Sequence, residues 1–361
     1  MAVTINDVAH AAGVSKGAVS YALNGQPGVS DETRQRILEA ARQLGWKPSL
    51  RAKGFSSSKA YALGLVVARD LKLLGTDPFF PAFIAGIETT LAEHDYTLVL
   101  TVATDPRDEE RSYRKLVEGG RVDGVILTDM RNDDSRIALL QELKLPAVTL
   151  DRSETPSPFP AVCTDDTDAI VAAVEHLINF GHTRIAHVGG AQAYIHGRSR
   201  RRAWERVLIA AGLQADLFAE ADFTASGGVA ATEALLRRPD RPTAIVYAND
   251  LMATAGQSFA QTHGFSVPGD LSITGYDNAE FAQYLNPPLT TISSDPLRWG
   301  QVAAMVLLNQ LDGTHDGQDI ALPPPQLLVG ASTGPVGSTS QPGSTSQPRS
   351  TSQPRSTAPN P

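Results

Sequence analysis

A single cysteine, Cys163, stands in 361 residues, so no disulfide can form within the chain. Between Val162 and Thr164 it reads as a small buried hydrophobe. Reduced cytoplasm is the compartment this implies. No apolar run reaches the ~20 residues that span a bilayer. The N-terminus lacks a basic region followed by an apolar core, so no secretion signal is expected. Catalytic signatures are missing too. There is no G-x-S-x-G, no H-E-x-x-H, no G-x-x-x-x-G-K-[ST], and no G-x-G-x-x-G behind a strand. His176, His182, His187 and His196 fall on different elements without an i,i+4 pair backed by a carboxylate, so neither a metal nor a cofactor is expected. Asp165 and Asp166 are adjacent, and Asp166 reads as a helix cap sooner than as half of an acid/base pair. An enzyme is not the expectation.

What is present is enough apolar material, 42% of residues, for a sizeable core and more than one domain. The net charge of -8 opposes binding to DNA, but its distribution does not. Up to Lys59 the basic residues Lys16, Arg34, Arg36, Arg42, Lys47, Arg51, Lys53 and Lys59 outnumber the acidic Asp7, Asp31, Glu32 and Glu39. A basic head on an acidic body suits a tethered DNA reader, because phosphate neutralisation supplies most sequence-independent affinity.

That head is organised around TINDVAHAAGVSKGAVSYALN, Thr4 to Asn24. Thr4 is a good N-cap, with Asp7 in the first turn. Ile5, Val8 and Ala9 repeat at helical spacing. Gly13 supplies the freedom a sharp turn needs, and Val14 plugs the angle. Ser15 caps a second helix whose inner stripe is Val19, Ala22 and Leu23. Ser15, Lys16, Gly17, Ser20, Tyr21 and Asn24 remain outward or at its ends. This pattern predicts a helix-turn-helix, whose second helix enters the DNA major groove. Ser30 starts a third helix with the stripe Ile37, Leu38, Ala41 and Leu44. Gly45 ends it, and Trp46 closes the small core.

Beyond Pro48, Leu50 to Phe55 has length for a turn or two of helix, which is unstable alone. From Tyr61 short apolar runs alternate with helical stretches. The runs are 62–67, 97–102, 124–127, 147–150, 185–188, 244–247 and 271–275. The helices span 82–93, 111–118, 166–180, 200–211, 228–237 and 251–263. Such alternation predicts doubly wound α/β lobes with parallel sheets, and the number of units calls for two of them with a cleft between. From Ser332 the chain turns polar, with STSQP recurring at Ser338, Ser344 and Ser350. It is read as a disordered tail, 332–361, without a heptad.

The head, with VSDETRQRILEAARQLGWKPS behind it, resembles the headpiece of the LacI/GalR family of transcription regulators. Ala18 stands where Thr is usual and Tyr21 where Arg is frequent. DPFF at 77–80, RVDGVIL at 121–127, EHLINFGHTRIAHVGG at 175–190, YANDLMA at 247–253, SITGYDN at 272–278 and PPLTTI at 287–292 are similar to the family's core. The resemblance runs from Thr4 to about Ala331. It implies a headpiece over 1–47, a hinge helix over 48–59, and a two-lobed core over 60–331 built like a type I periplasmic sugar-binding protein. In the family the hinge inserts a leucine into the minor groove; here Phe55 takes that place.

By resemblance, Lys16, Gly17 and Tyr21 face bases, and Ser15, Ser20, Asn24 and Ser30 hold phosphates. Thr4, Arg51, Ala52 and Phe55 complete the DNA-contacting set. Open α/β sheets bind ligands past the C-terminal ends of their strands. Arg200, Asn249 and Asp277 are there expected to bind effector hydroxyls, Phe79 and Phe223 to offer apolar faces, and Asp151, Tyr194 and His196 to line the site. The implied partners are a pseudo-palindromic double-stranded operator, a small sugar-like effector and a second copy of the chain. The function implied is a ligand-released repressor of carbohydrate-utilisation genes, cytoplasmic and nucleoid-associated. An uptake receptor would share the two-lobed core, but it calls for an export signal and no basic head.

Overall fold

The structure, a computed structural model, describes residues 3–23, 27–46, 59–154 and 156–337. Asn24, the linker with Arg51, Ala52 and Phe55, and residues 338–361 lie outside the described residues.

The head is three helices, α1 (Ile5–Ala12), α2 (Lys16–Leu23) and α3 (Asp31–Gln43). The Asp7 carboxylate accepts from the Thr4 N–H and hydroxyl, both at 2.7 Å. Gly13 ends α1 at φ 64°, a left-handed conformation that glycine adopts without strain. The Ser15 hydroxyl accepts from Ala18 N–H at 3.2 Å and the Ser30 hydroxyl from Thr33 N–H at 3.3 Å, so both are the caps expected. Val8, Ala9, Ala12, Val19, Ala22, Ile37, Ala40 and Ala41 form the core. Leu38 and Leu44 do not belong to it; they are 42% and 37% exposed. Ala40, 8% exposed, takes a place in the core instead.

The body has two lobes. In the first, β1 (Ala62–Val67), β2 (Thr97–Val102), β3 (Gly124–Leu127), β4 (Ala147–Leu150) and β5 (Ala161–Cys163) are all parallel, in the order β5-β4-β3-β1-β2. Helices α4 (Leu71–Thr76), α5 (Phe79–Glu93), α6 (Pro106–Glu118) and α7 (Ser135–Glu142) connect them. Every residue of β1 is buried, as a strand covered on both faces requires. Leu63, Leu65 and Val67 join one core, Ala62 and Val66 the other. The second lobe holds α8 (Thr167–Asn179), β6 (Ile185–Gly189), α9 (Ile195–Ala210), β7 (Phe218–Glu220), α10 (Ala225–Leu236), β8 (Ala244–Tyr247), α11 (Asp250–Thr262) and β9 (Ser272–Thr274). Its sheet runs β7-β6-β8-β9, again parallel.

The chain then crosses back. β10 (Thr291–Ile292) leads into α12 (Pro296–Leu311), whose Ala303, Ala304, Val306, Leu307 and Leu308 pack into the first lobe's core. β11 (Ile320–Ala321) adds to that lobe's sheet beside β5, and β12 (Leu327–Leu328) returns to pair with β10. Three connections therefore join the lobes: 164–166, 293–295 and 322–326.

Residues 332–337 are not the start of a disordered tail. Ser332 is fully buried, and its hydroxyl donates to Ile273 O at 2.6 Å. Thr333 hydrogen-bonds Thr290 at 2.9 Å and His176 at 2.8 Å, and Gly334 N–H donates to the Ser272 hydroxyl at 3.1 Å. Short polar side chains that satisfy buried backbone groups look like tail composition when read alone. At the other boundary Lys59 pairs with Asp312 at 3.1 Å, and Asp123 accepts the Ala60 and Tyr61 N–H groups at 2.7 Å.

Candidate functional site

On the head, α2 buries Val19 and Ala22 and turns Lys16, Gly17 and Tyr21 outward, Tyr21 being 48% exposed. A Cβ at Gly17 would meet only the Ser15 hydroxyl, at 3.8 Å, so this end of the helix offers a close approach. Ser15 and Ser30 are exposed at the N-termini of α2 and α3, where free N–H groups and the helix dipole favour phosphate. Ser20 lies half-buried one turn along, and Thr4 is exposed at the start of α1.

In the body, one pocket between the lobes gathers Phe79, Asp151, His196, Arg200, Phe223, Asn249 and Asp277, seven of the eight ligand residues expected from sequence. Tyr194 stands behind them, stacked on His196 with centroids 5.6 Å apart. Each side chain arrives from the C-terminal end of a strand or from the helix that follows. Asp129, Asp151, Phe223 and Asp277 hold positive φ angles of 51°, 64°, 67° and 111°. Non-glycine residues pay about 1–3 kcal/mol for such backbone, which clusters at functional sites.

Arg200 is the most constrained. It lies inside α9, which starts at Ile195, and does not open the helix as the sequence suggests. Its Nε donates to Asp166 at 2.6 Å and its Nη1 to Ala248 O at 2.8 Å, with the guanidinium 3.6 Å from the Tyr276 ring centroid. Burial works against its charge, but Tyr276, Asp166 and Asp277 outweigh that and raise its pKa. Asp166 precedes α8 yet makes no capping bond, because its carboxylate is turned to Arg200 and Ser199. Asn249 caps α11 through Met252 N–H at 3.0 Å and donates to Phe223 O at 3.0 Å. Phe79 and Phe80 sit in the first turn of α5, not in a loop, and Phe80 is 2% exposed core.

The pocket is acidic. Burial raises Asp77, raises Asp277 well above the usual carboxylate range, and takes Asp151 up to about 7. Burial also pushes Asp129 up, but the Arg69 charge and hydrogen bonds overcome it and leave its pKa lowered. Burial lowers His196 to about 3, so its imidazole is neutral. Raised carboxyls beside two guanidiniums give a lining of hydrogen-bond donors and acceptors that suits a ligand rich in hydroxyls. Free space in the pocket is about 80 Å3, and it opens past Phe79, Arg200, Asp277 and Trp299 into a groove of about 1020 Å3 along α12.

Sequence reading missed Arg69, Asp77, Asp129, Asp166 and Trp299 as lining residues. The rule used for Asp151 and Asp277, looking just past a strand's C-terminal end, finds Arg69 after β1 and Asp129 after β3. Trp299 carried no signal, since it belongs to the returning helix α12.

A family model described as "Bacterial regulatory proteins, lacI family" matches residues 4–49, and one for a periplasmic binding protein-like domain matches 174–333. The HTH-type transcriptional regulator AglR of Rhizobium meliloti (strain 1021) is 34% identical over 93% of this chain and 95% of its own length. The chain belongs to the LacI family. Another LacI-family relative, the HTH-type transcriptional repressor CytR of Escherichia coli (strain K12), is 33% identical over 92% of this chain and 96% of its own. Among solved LacI-family structures, the lac repressor dimer bound to operator and the anti-inducer ONPF matches with a TM-score of 0.78 at 27% identity, covering 92% of this chain and all of that one. A CelR–cellobiose complex matches at 0.71 and 31% identity, with the same coverage. The α/β class, the helix-turn-helix head and the two-lobed periplasmic-binding-protein-like body expected from sequence are what the LacI-family chain has. It is a DNA-binding transcription regulator.

Proposed function

We propose that this LacI-family regulator is a homodimeric repressor whose effector is a neutral, hydroxyl-rich sugar held between the lobes. The observation that carries this reading is the pocket itself, where Arg200, Asn249, Asp277 and Asp151 converge beside Phe79, Phe223 and His196. The guanidinium makes charge-assisted bonds to hydroxyl oxygens, and the amide and carboxyl oxygens accept from the hydroxyl protons. The aromatic edges suit the CH face of a sugar ring. A cellobiose complex and an operator-bound dimer among the structural relatives support a sugar effector and a dimer on DNA.

On DNA, Lys16, Gly17 and Tyr21 read bases, while Thr4, Ser15, Ser20, Ser30 and Asn24 hold the backbone. Arg51, Ala52 and Phe55 contact the minor groove from the linker, with Phe55 as the wedge between base pairs. The head is assigned to 1–47, the linker to 48–59, and the body from 60 through at least Val336, whose N–H donates to Phe180 O at 3.1 Å. Effector binding shifts the lobes and weakens operator binding; by linkage, operator weakens effector binding equally. The protein acts in the cytoplasm, where its DNA is. Among the described residues no helix is long and apolar enough to cross a membrane. A binding role fits the family, whose relatives are transcription regulators.

The test is a gel shift on the gene's own upstream DNA with mono- and disaccharides added. A palindromic site bound in preference to random DNA, and released by one sugar, supports the reading. Binding without sequence preference or sugar response overturns it.

A further inference from the structure

The first lobe sends one segment across the cleft. Residues 69–77 leave β1, form the six-residue helix α4 and return into α5. Within α4, adjacent residues face different lobes. Leu73 is 2% exposed and belongs to the second lobe's core, with Val188, Phe223, Ala248, Met252 and Leu289. Leu74 packs against the first lobe's core. The segment's ends are polar and also reach the pocket. Asp77 Oδ2 lies 3.5 Å from Asn249 Nδ2, and its Oδ1 accepts Phe79 N–H at 3.0 Å. The Arg69 guanidinium lies 4.6 Å from the ring centroids of both Tyr194 and Phe223, while its Nε donates to Asp129 Oδ2 at 2.7 Å. A second bond joins Arg69 Nη2 to Asp129 Oδ1.

We propose that residues 69–77 form a strap anchored in the second lobe by Leu73, and that Arg69 is the pocket's internal occupant, which the effector displaces. This rests on the reading of the pocket as the effector site, and it adds Arg69, Asp77 and Asp129 to that site. The guanidinium offers donors to a carboxylate and a flat face to two aromatic rings. A sugar ring offers both, as hydroxyls to Asp129 and a CH face to Tyr194 and Phe223. With Arg69 in place the free space, about 80 Å3, is below the ~300 Å3 at which small-molecule pockets begin. Moving one side chain therefore clears room and frees the matching contacts together. Asp129, which the Arg69 charge holds below the usual carboxylate range, is the group that any replacement must satisfy, so an anionic ligand does not replace Arg69.

Two measurements test this, and neither uses DNA or a sugar, so their failure is separate from failure of the repressor reading. The first is hydrogen exchange on the full chain. Leu73 N–H donates to Asp70 O and Asp77 N–H to Leu73 O, each at 2.9 Å, and a six-residue helix keeps such bonds only when docked. The 71–77 amides should exchange at least about 10-fold more slowly than a free peptide in the wild type. Leu73→Asp should remove that protection while β1 and α5 stay protected. Free-peptide rates in the wild type, or a variant with unchanged protection, overturn the strap. The second is thermal shift of Arg69→Ala with millimolar ethylguanidinium, with ethylammonium as the control. The planar cation should stabilise the variant and not the wild type. Equal response of both proteins, or no response of the variant, overturns Arg69 as the occupant.

Discussion

Arg200, inside α9, donates to Asp166 at 2.6 Å, at the crossing that leads into α8, and the Tyr276 ring closes over the guanidinium at 3.6 Å. The side chain proposed to meet the effector is thus already fixed by two neighbours. Preorganised donors lose less entropy on binding than free ones.

Arg200→Ala should therefore have two separable effects. Removing the cation leaves Asp166, 8% exposed, without its partner, and breaking a buried pair costs about 3–5 kcal/mol. Melting temperature should fall, and the shift given by an active sugar should vanish while operator affinity stays within a few-fold. A variant still released from DNA by that sugar would remove Arg200 from the site.

Asp151 gives a pH signature. Burial raises its folded pKa from 3.8 to about 7. The folded chain holds this proton more tightly than the unfolded one, so the stability it contributes is complete below pH ~4 and is lost as pH rises through about 7. Asp151→Asn removes the charge and keeps the shape. Its melting temperature should exceed that of the wild type at pH 8, by about 2–4 °C for each kcal/mol recovered, and the gap should narrow as pH falls and close only near pH ~4. An equal gap at both pH values would contradict the burial argument.

Tyr21 stands exposed in the middle of α2, where the sequence departs from its family. Tyr21→Ala should lower affinity for the specific operator by about 1–3 kcal/mol and leave affinity for random DNA almost unchanged. Competition gel shifts separate the two; equal losses would make Tyr21 a phosphate contact.

Gly86 and Gly300 are where α5 and α12 touch. A Cβ on Gly86 would lie 2.0 Å from Leu297 O, and one on Gly300 2.2 Å from Phe83 O. Gly300→Ala should force the helices apart and cost at least ~1–3 kcal/mol, read as a lower midpoint in urea. An unchanged midpoint would mean that the two helices do not pack at this distance.

Legibility from sequence followed locality. The caps Thr4, Ser15 and Ser30, the turn at Gly13 and the strands 62–67 and 97–102 depend on near neighbours and were readable. The pocket residues after β4, β8 and β9 were readable too, because one rule about strand ends covers them. What escaped depends on distant partners. Helix α12 was passed over because its role is set by a sheet more than a hundred residues earlier. Leu73 fell between the run at 62–67 and the helix at 82–93 and drew no reading, because its core belongs to the other lobe. Ser332 and Thr333 looked like tail because the groups they satisfy, Ile273 O, Thr290 and His176, lie elsewhere. Helix starts slipped for a milder reason. Ile195, Gly197 and Arg198 give no apolar period before Arg200, so the first turn of α9 was invisible.

The chain's return through α12 and β11 also means that neither half can be cut out as one piece. The first lobe closes its sheet only with Ile320–Ala321, and the second is sealed only by Ser332. During synthesis the first lobe stays unfinished until most of the second has been made. A truncation near residue 290 would strip both lobes at once, and a stable single-lobe fragment would have to be assembled from two separate stretches of sequence.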